Sequence, residues 1–128
     1  MQNVFIPAGY NQVMPYLIIR DAAGFSAFMQ KVFGATEIMK HMRDEHIIMH
    51  GELKIGDCVI MFADATDQYP PLPASMFIYV NDADATYEKA LAEGAVSISP
   101  MGNQSYGRSG GIQDPHGNKW WITTAPKE

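Results

Sequence analysis

The most informative segment of this sequence is Tyr106-Gly107-Arg108-Ser109-Gly110-Gly111-Ile112-Gln113-Asp114-Pro115-His116-Gly117-Asn118-Lys119-Trp120-Trp121-Ile122-Thr123. It predicts two strands joined by a tight turn over 114–117, because proline fixes φ at the second turn position and glycine accepts the positive φ that follows. The residues after the turn are aromatic and β-branched, which favours a strand over a helix. The glycines before the turn indicate that another group approaches the backbone closely there.

The chain before this hairpin predicts one order of elements twice. The first half contains a strand, a helix and three strands, at residues 14–20, 22–33, 36–42, 45–55 and 57–62. The second half begins with a strand, a helix, a strand and a loop, at residues 75–80, 83–93, 95–99 and 100–104. Asp21 and Asp82 are the predicted N-caps of the two helices.

The two halves also match in sequence, which indicates an internal repeat. Leu17-Ile18-Ile19-Arg20-Asp21-Ala22 matches Ile78-Tyr79-Val80-Asn81-Asp82-Ala83, and Gly34-Ala35 matches Gly94-Ala95. A proline-rich linker at 64–74 separates the two copies, which span 14–63 and 75–124. We therefore predict a single domain over residues 1–128.

Each half is a βαβββ unit whose sheet has one face that its own helix does not cover. Pairing two such units buries both faces. We predict an α+β fold in which two tandem βαβββ units form one curved mixed sheet, a cup, with the helices on its outer face. Residues 1–13 show no periodicity and predict an arm that lies on the surface or across a partner subunit.

Alternation along the strands assigns side chains to the two faces of the sheet. It places Ile48 in the cup and Met49 under the helix. The candidate ligand-binding residues in the cup are Tyr16, His50, Glu52, Phe77, Tyr79 and Trp121. Aromatic side chains mixed with a few polar groups are typical of a small-molecule pocket.

His50 and Glu52 are the best candidates for catalytic residues, since they lie two positions apart on the same strand face. They could form an acid/base pair in which Glu52 orients His50, or a displaced pair of metal ligands. They could instead be a structural polar pair that closes the cup floor or contacts the other subunit. The residues leave these alternatives open.

A second group of candidates lies in the second half of the chain. Trp121 and Tyr79 could sandwich a planar ligand while Arg108, close to Tyr106, holds an anionic group. The alternative is that Trp121 fills the cup and Arg108 is an ordinary surface residue. The sequence favours neither interpretation.

The charge balance and the apolar pattern argue against two classes of partner. The sequence contains 9 Lys and Arg residues and 14 Asp and Glu residues, a net charge of −5, with no basic stripe for nucleic acid. No apolar run approaches the length of a membrane span, and the first residues do not read as a secretion signal. The single Cys58 cannot form an internal disulfide. We expect a cytoplasmic protein that binds neither nucleic acid nor membranes.

Several motifs resemble those of the vicinal oxygen chelate superfamily, which includes glyoxalase I, bleomycin-resistance proteins and extradiol dioxygenases. The motifs are Pro15-Tyr16-Leu17, Phe33-Gly34-Ala35, His50-Gly51-Glu52-Leu53-Lys54-Ile55-Gly56-Asp57 and Asp114-Pro115-His116-Gly117-Asn118-Lys119-Trp120. The closest resemblance is to the PhnB-like branch. It implies the paired βαβββ fold and a homodimer.

Enzymes of that superfamily hold a divalent metal through His, Glu or Gln residues on the first and fourth strands of each unit. The resemblance carries these positions over to residues that are poor ligands for such an ion, namely Met14, Ile60, Ser75 and Trp121. We therefore predict no metal and no other cofactor, and a protein that sequesters a planar or anionic compound in an aromatic cup. The alternative is a lyase, isomerase or dioxygenase whose divalent metal is bound at a rearranged site by His50 and Glu52.

Overall fold

The computed structural model describes residues 3–127 and divides into two compact units. Unit 1 is Met1–Leu72 and unit 2 is Pro73–Glu128, so the boundary falls inside the linker predicted at 64–74. Each unit has one helix and four strands in the order βαβββ, as the internal repeat predicts. Neither helix has the length and apolar character that crossing a membrane requires.

Unit 1 forms a mixed sheet of four strands with one helix. Its elements are β1 (Tyr16–Ile19), α1 (Ala22–Phe33), β2 (Thr36–Met42), β3 (Ile48–Ile55) and β4 (Cys58–Asp64). The strands are ordered β1-β4-β3-β2, with β1 parallel to β4 and the other pairs antiparallel. Helix α1 begins after its predicted cap, since the Asp21 side chain accepts a hydrogen bond from the Gly24 amide.

Unit 2 repeats this arrangement. Its elements are β5 (Ser75–Tyr79), α2 (Ala83–Ala92), β6 (Val96–Gln104), β7 (Gly107–Gln113) and β8 (Lys119–Thr124), with the strands ordered β5-β8-β7-β6. The α+β class and the two βαβββ units are therefore confirmed. Hydrogen bonds place the strands of the described residues in two sheets of four, one in each unit, where the sequence predicts one sheet.

The prediction of a loop at 100–104 is wrong, because these residues are the second half of β6. Two register shifts interrupt the pairing of β6 with β7, one between Ser97 and Ser99 and one between Ser99 and Gly102. A bulge accommodates Pro100, since a proline has no N–H to give to a regular ladder.

A bulge in β3 also overturns the predicted faces of two residues. His41 pairs with His50 and Met42 pairs with Ile48, so Met49 is an extra residue on β3. The alternation therefore shifts by one position before His50. Ile48 is buried at 2% exposure, and Met49 is 48% exposed, the reverse of the prediction.

The apolar face of each helix packs on its own sheet. Helix α1 buries Phe25 and Met29, and the Phe25 ring contacts Phe62 of β4 with centroids 5.6 Å apart. In unit 2, α2 buries Tyr87 and Ala90, and the buried residues of its sheet are Ile112, Trp120 and Ile122. These cores fix the outer face of each sheet and leave the other face for the candidate site.

The last strand of each unit also supports the start of its helix. The Asp64 carboxylate accepts hydrogen bonds from the backbone amides of Ala22 at 2.8 Å and of Ile48 at 2.7 Å. In unit 2, the Thr124 hydroxyl accepts one from the Ala83 amide at 2.7 Å. The amides at a helix N-terminus have no partner within the helix, so these side chains satisfy donors that would otherwise be unpaired.

Asp114 organises the turn between β7 and β8. Its carboxylate is 3% exposed and accepts hydrogen bonds from the backbone amides of His116 and Asn118 and from the Trp120 indole N–H. Gly117 has φ 92°, the positive value predicted for that turn position. One buried carboxylate thus joins the turn to the core.

Candidate functional site

Four side chains on the open face of the unit 1 sheet form a continuous chain of hydrogen bonds. Tyr10 Oη donates to Glu52 Oε1 at 2.6 Å, and His50 Nε2 lies 2.8 Å from Glu52 Oε2. At the other end, Tyr16 Oη lies 2.8 Å from His50 Nδ1. The structure therefore brings together three predicted site residues, Tyr16, His50 and Glu52, and adds Tyr10.

Glu52 is the buried member of this chain, at 3% exposure. Burial acts to raise the pKa of the Glu52 carboxyl, while the hydrogen bonds from Tyr10 and His50 act to lower it. The hydrogen bonds prevail, and the pKa of Glu52 lies below its ordinary value of 4.5. The bond to the carboxylate raises the pKa of the Tyr10 phenol. Glu52 is therefore an ionised acceptor, and Tyr10 is a donor, at neutral pH.

This arrangement predicts a loss of stability in acid. The pKa of Glu52 is lower in the folded than in the unfolded protein, so its contribution is present above pH 4.5 and is lost as the pH falls through the folded value. We expect the difference in free energy of unfolding between wild type and Glu52→Gln to shrink as the pH drops from about 7 to about 3. Urea denaturation at several pH values measures it. A difference that stays constant over this range would contradict the assignment.

Tyr10 is the member of this hydrogen-bond chain that the sequence did not predict. It lies in the N-terminal arm, and the arm follows the unit 1 sheet, since Asn11 Oδ1 accepts a hydrogen bond from the Val59 amide at 3.3 Å. Nothing in the aperiodic sequence of residues 1–13 indicates that Tyr10 reaches Glu52, 42 positions later in the chain.

A cavity of about 440 Å³ opens in unit 1 beside the exposed end of the hydrogen-bond chain. Tyr16 lines it, and its side chain lies partly in solvent at 49% exposure. The other lining residues are Ile18, Arg43, Met49, Ala63, Asp64, Thr66 and Tyr69. The cavity thus offers two aromatic rings, apolar surface and one basic residue.

Unit 2 carries a separate cluster of aromatic side chains on the open face of its own sheet. The Phe77 ring lies 5.0 Å from that of Tyr79 and 6.2 Å from that of Tyr106, measured between centroids, and all three are about half exposed or more. Trp121 pairs with Phe77 across the strands, and its ring covers Gly111, where a Cβ would lie 2.6 Å from it. Gly111 thus makes room for the indole of Trp121.

Arg108 lies on the opposite face of that sheet, against α2. Its Nε and Nη2 donate to the two oxygens of Asp84 at 3.0 and 2.9 Å, and its Nη1 donates to Asn103 Oδ1 at 3.3 Å. The Asp84 partnership raises the pKa of Arg108 and lowers that of Asp84. The structure thus separates Arg108 from Phe77, Tyr79 and Trp121, and gives its guanidinium a bidentate partner within the protein.

The residues at the positions implied for a divalent metal do not fit such an ion. In β4 the Phe62 side chain faces α1, so alternation puts Ile60 on the same side and Met61 on the open face. The β4 residue at the implied metal position is therefore Met61 and not Ile60. Met61 and Met14 line one apolar cavity. In unit 2, the Trp121 indole N–H donates to Ser75 Oγ at 3.0 Å. Thioethers are soft ligands, and an indole N–H is a donor only.

His50 and Glu52 are also poorly placed as a rearranged metal site. Both imidazole nitrogens lie within hydrogen-bond distance of a protein oxygen, one of Tyr16 and one of Glu52. Within residues 3–127, no group of three or more His, Cys, Asp or Glu side chains is arranged to hold a metal ion.

Comparisons with known proteins agree with this architecture. Mb0911c of Mycobacterium bovis is 28% identical over 126 residues, which cover 89% of this chain and 83% of the relative. The structure of a PhnB protein from Bacillus cereus matches with a TM-score of 0.70 at 15% identity, over 90% of this chain and all of that one. TnmS3, an antibiotic binding protein from a Streptomyces species, matches with a TM-score of 0.70 at 17% identity, over 88% and 93% of the two chains.

The sequence also matches a family model over nearly its whole length. The model describes the glyoxalase/bleomycin resistance protein/dioxygenase superfamily and covers residues 9–122. The match includes all of the first βαβββ unit, the turn at Asp114 and the second unit as far as residue 122 in β8. The predicted resemblance is thereby confirmed, and this chain belongs to the glyoxalase/bleomycin resistance protein/dioxygenase superfamily.

Proposed function

We propose that this protein binds and sequesters a planar, anionic small molecule, and that it does so without a metal at Met14, Met61, Ser75 and Trp121. The observation that carries the proposal is the unit 1 cavity of about 440 Å³. Its aromatic and apolar walls suit a flat ring, and Arg43 suits an anionic substituent. The homodimer that the family resemblance implies is part of the proposal, and the molar mass in solution checks it.

Two further features support this function. The open aromatic cluster of unit 2, formed by Phe77, Tyr79, Tyr106 and Trp121, offers a second surface for planar compounds. TnmS3, which shares the fold, is itself an antibiotic binding protein. The residues at the implied metal positions, Met14, Met61, Ser75 and Trp121, are poor ligands for a divalent ion. This favours ligand binding over metal-dependent catalysis.

A pair of matched anions tests the proposal. We expect naphthalene sulfonate to bind more tightly than decahydronaphthalene sulfonate, which has the same carbon skeleton and charge, because only the former presents flat rings to Tyr16 and Tyr69. The Arg43→Gln variant should weaken binding of naphthalene sulfonate about tenfold, since one charge-assisted contact is lost. Isothermal titration calorimetry measures both affinities.

The choice of variants distinguishes the two candidate arginines. Arg108→Gln should leave the affinity for naphthalene sulfonate within about twofold of wild type, because Arg108 is paired with Asp84. A tenfold loss of affinity in Arg108→Gln, with no loss in Arg43→Gln, would show that the anion binds to Arg108, as predicted from the sequence. Equal binding of the flat and the saturated sulfonate would contradict the planar specificity.

A further inference from the structure

The hydrogen-bond chain of unit 1 fixes the direction in which the Tyr16 hydroxyl proton points. Glu52 is ionised and accepts only, so the neighbouring His50 Nε2 must donate to it across 2.8 Å. In a neutral imidazole the other nitrogen then carries no proton and is an acceptor. Tyr16 Oη, 2.8 Å from His50 Nδ1, therefore donates its only proton inward.

The outward side of this hydroxyl is consequently an acceptor. The oxygen of Tyr16 keeps its remaining lone-pair capacity for a group in the cavity, and it has no second proton to offer. Arg43, on the wall of the same cavity, has the opposite character, because a guanidinium donates and never accepts. Asp64 also lines the cavity, but each of its oxygens already accepts a backbone N–H.

We propose that the unit 1 cavity selects compounds that combine an anionic group with a hydroxyl or N–H donor, the anion held by Arg43 and the donor by Tyr16 Oη. Glu52 and His50 act as positioning residues, since they set the direction of the Tyr16 proton without touching the ligand. This inference rests on the proposed function and adds a specific chemical class to it.

Matched probes separate this inference from simple binding. We would use the ortho, meta and para isomers of (hydroxymethyl)benzenesulfonate together with their methyl ethers, at about pH 8. Each pair differs by one methyl group, and only the alcohol can donate a hydrogen bond. We expect at least one isomer of the alcohol to bind wild type about tenfold more tightly than its ether.

Two variants then assign the preference to the hydrogen-bond chain. Tyr16→Phe keeps the ring and removes the acceptor, so the alcohol and the ether should bind equally. Glu52→Gln keeps an oxygen for Tyr10 and presents an amide N–H₂ to His50 Nε2. The imidazole proton then moves to Nδ1 and the Tyr16 proton turns outward. The alcohol oxygen and the ether oxygen can both accept it, so the preference for the alcohol should disappear. Glu45→Gln, at an exposed position, should retain the wild-type ratio.

The outcomes are distinct for the two proposals. Equal binding of alcohol and ether by wild type, or a preference that survives in Tyr16→Phe, would overturn the donor selectivity while leaving the proposed function intact. Binding of none of the probes at millimolar concentration would overturn both. If Glu52→Gln does not fold, as judged by thermal unfolding, Tyr16→Phe decides the question, since it leaves the buried carboxylate in place.

Discussion

Replacing Asp114 by asparagine is expected to lower the free energy of unfolding by about 3 kcal/mol, the cost of disrupting a buried, charge-assisted set of hydrogen bonds. One oxygen of Asp114 accepts the amides of His116 and Asn118, and the other accepts the Trp120 indole N–H at 2.8 Å. An asparagine can keep its oxygen toward the two amides only by turning its N–H₂ toward the indole N–H. Two donors then face each other in a buried position where water does not compensate them.

Urea denaturation followed by tryptophan fluorescence measures this effect. The two tryptophans, Trp120 and Trp121, lie in β8 close to the turn, so their emission reports on this part of the protein. Asp57→Asn is the matched control, because Asp57 occupies the exposed turn between β3 and β4. That substitution should change the free energy of unfolding by no more than about 0.5 kcal/mol. A loss below about 1 kcal/mol in Asp114→Asn would mean that the turn holds its shape without the carboxylate.

Replacing Gly51 by alanine is expected to cost about 2 to 3 kcal/mol, because the added methyl group overpacks the core of unit 1. A Cβ at Gly51 would lie 2.4 Å from Phe62 Cζ. The Phe62 ring is fully buried and packs against Phe25, so it has little room to move. Gly51 lies between His50 and Glu52, and this glycine lets the strand that carries both of them lie close to the aromatic core.

The Gly51 prediction has a matched control and a rescue. Gly102→Ala makes the same change in β6, where the nearest atom is the flexible Gln104 side chain at 3.6 Å, and its effect should be less than about 1 kcal/mol. Phe62→Leu removes the ring atoms that the new methyl group meets. The double variant should therefore be more stable than the sum of the two single losses predicts. Strict additivity would show that Gly51→Ala acts elsewhere.

Local sequence rules predicted most of the fold. The bounds of α1 are those predicted, because a cap, an apolar stripe and a terminal glycine all agree there. The repeat predicted two βαβββ units, and the Asp-Pro-His-Gly turn predicted the last hairpin. Predictions failed where pairing between strands was decisive. The bulge at Met49 and the extension of β6 past Pro100 depend on the register in which each strand pairs with the next strand of the chain, and the pattern within a single strand does not reveal that register.

The candidate site also contains residues that local sequence rules predicted and residues that they did not. Period-two alternation placed His50 and Glu52 on one face, and their 2.8 Å contact follows directly from that spacing. Alternation also grouped Phe77, Tyr79 and Trp121. It assigned no face to Arg108, whose pairing with Asp84 joins β7 to a helix that lies 24 positions earlier. Tyr10 had no detectable pattern, because an aperiodic arm has no preferred face until a sheet exists for it to contact.

The amino-acid order alone was therefore enough to establish the family, the two βαβββ units, the caps and the central turn, because each depends on residues close together in the chain. Folding was needed to bring Tyr10, Glu52, His50 and Tyr16 into one hydrogen-bond chain and to withdraw Arg108 from the predicted site. The physical reason is the sequence distance over which each interaction acts. Propensity, capping and turn geometry act over a few residues, whereas hydrogen-bond partners and bulges depend on segments that meet only when the sheets have formed.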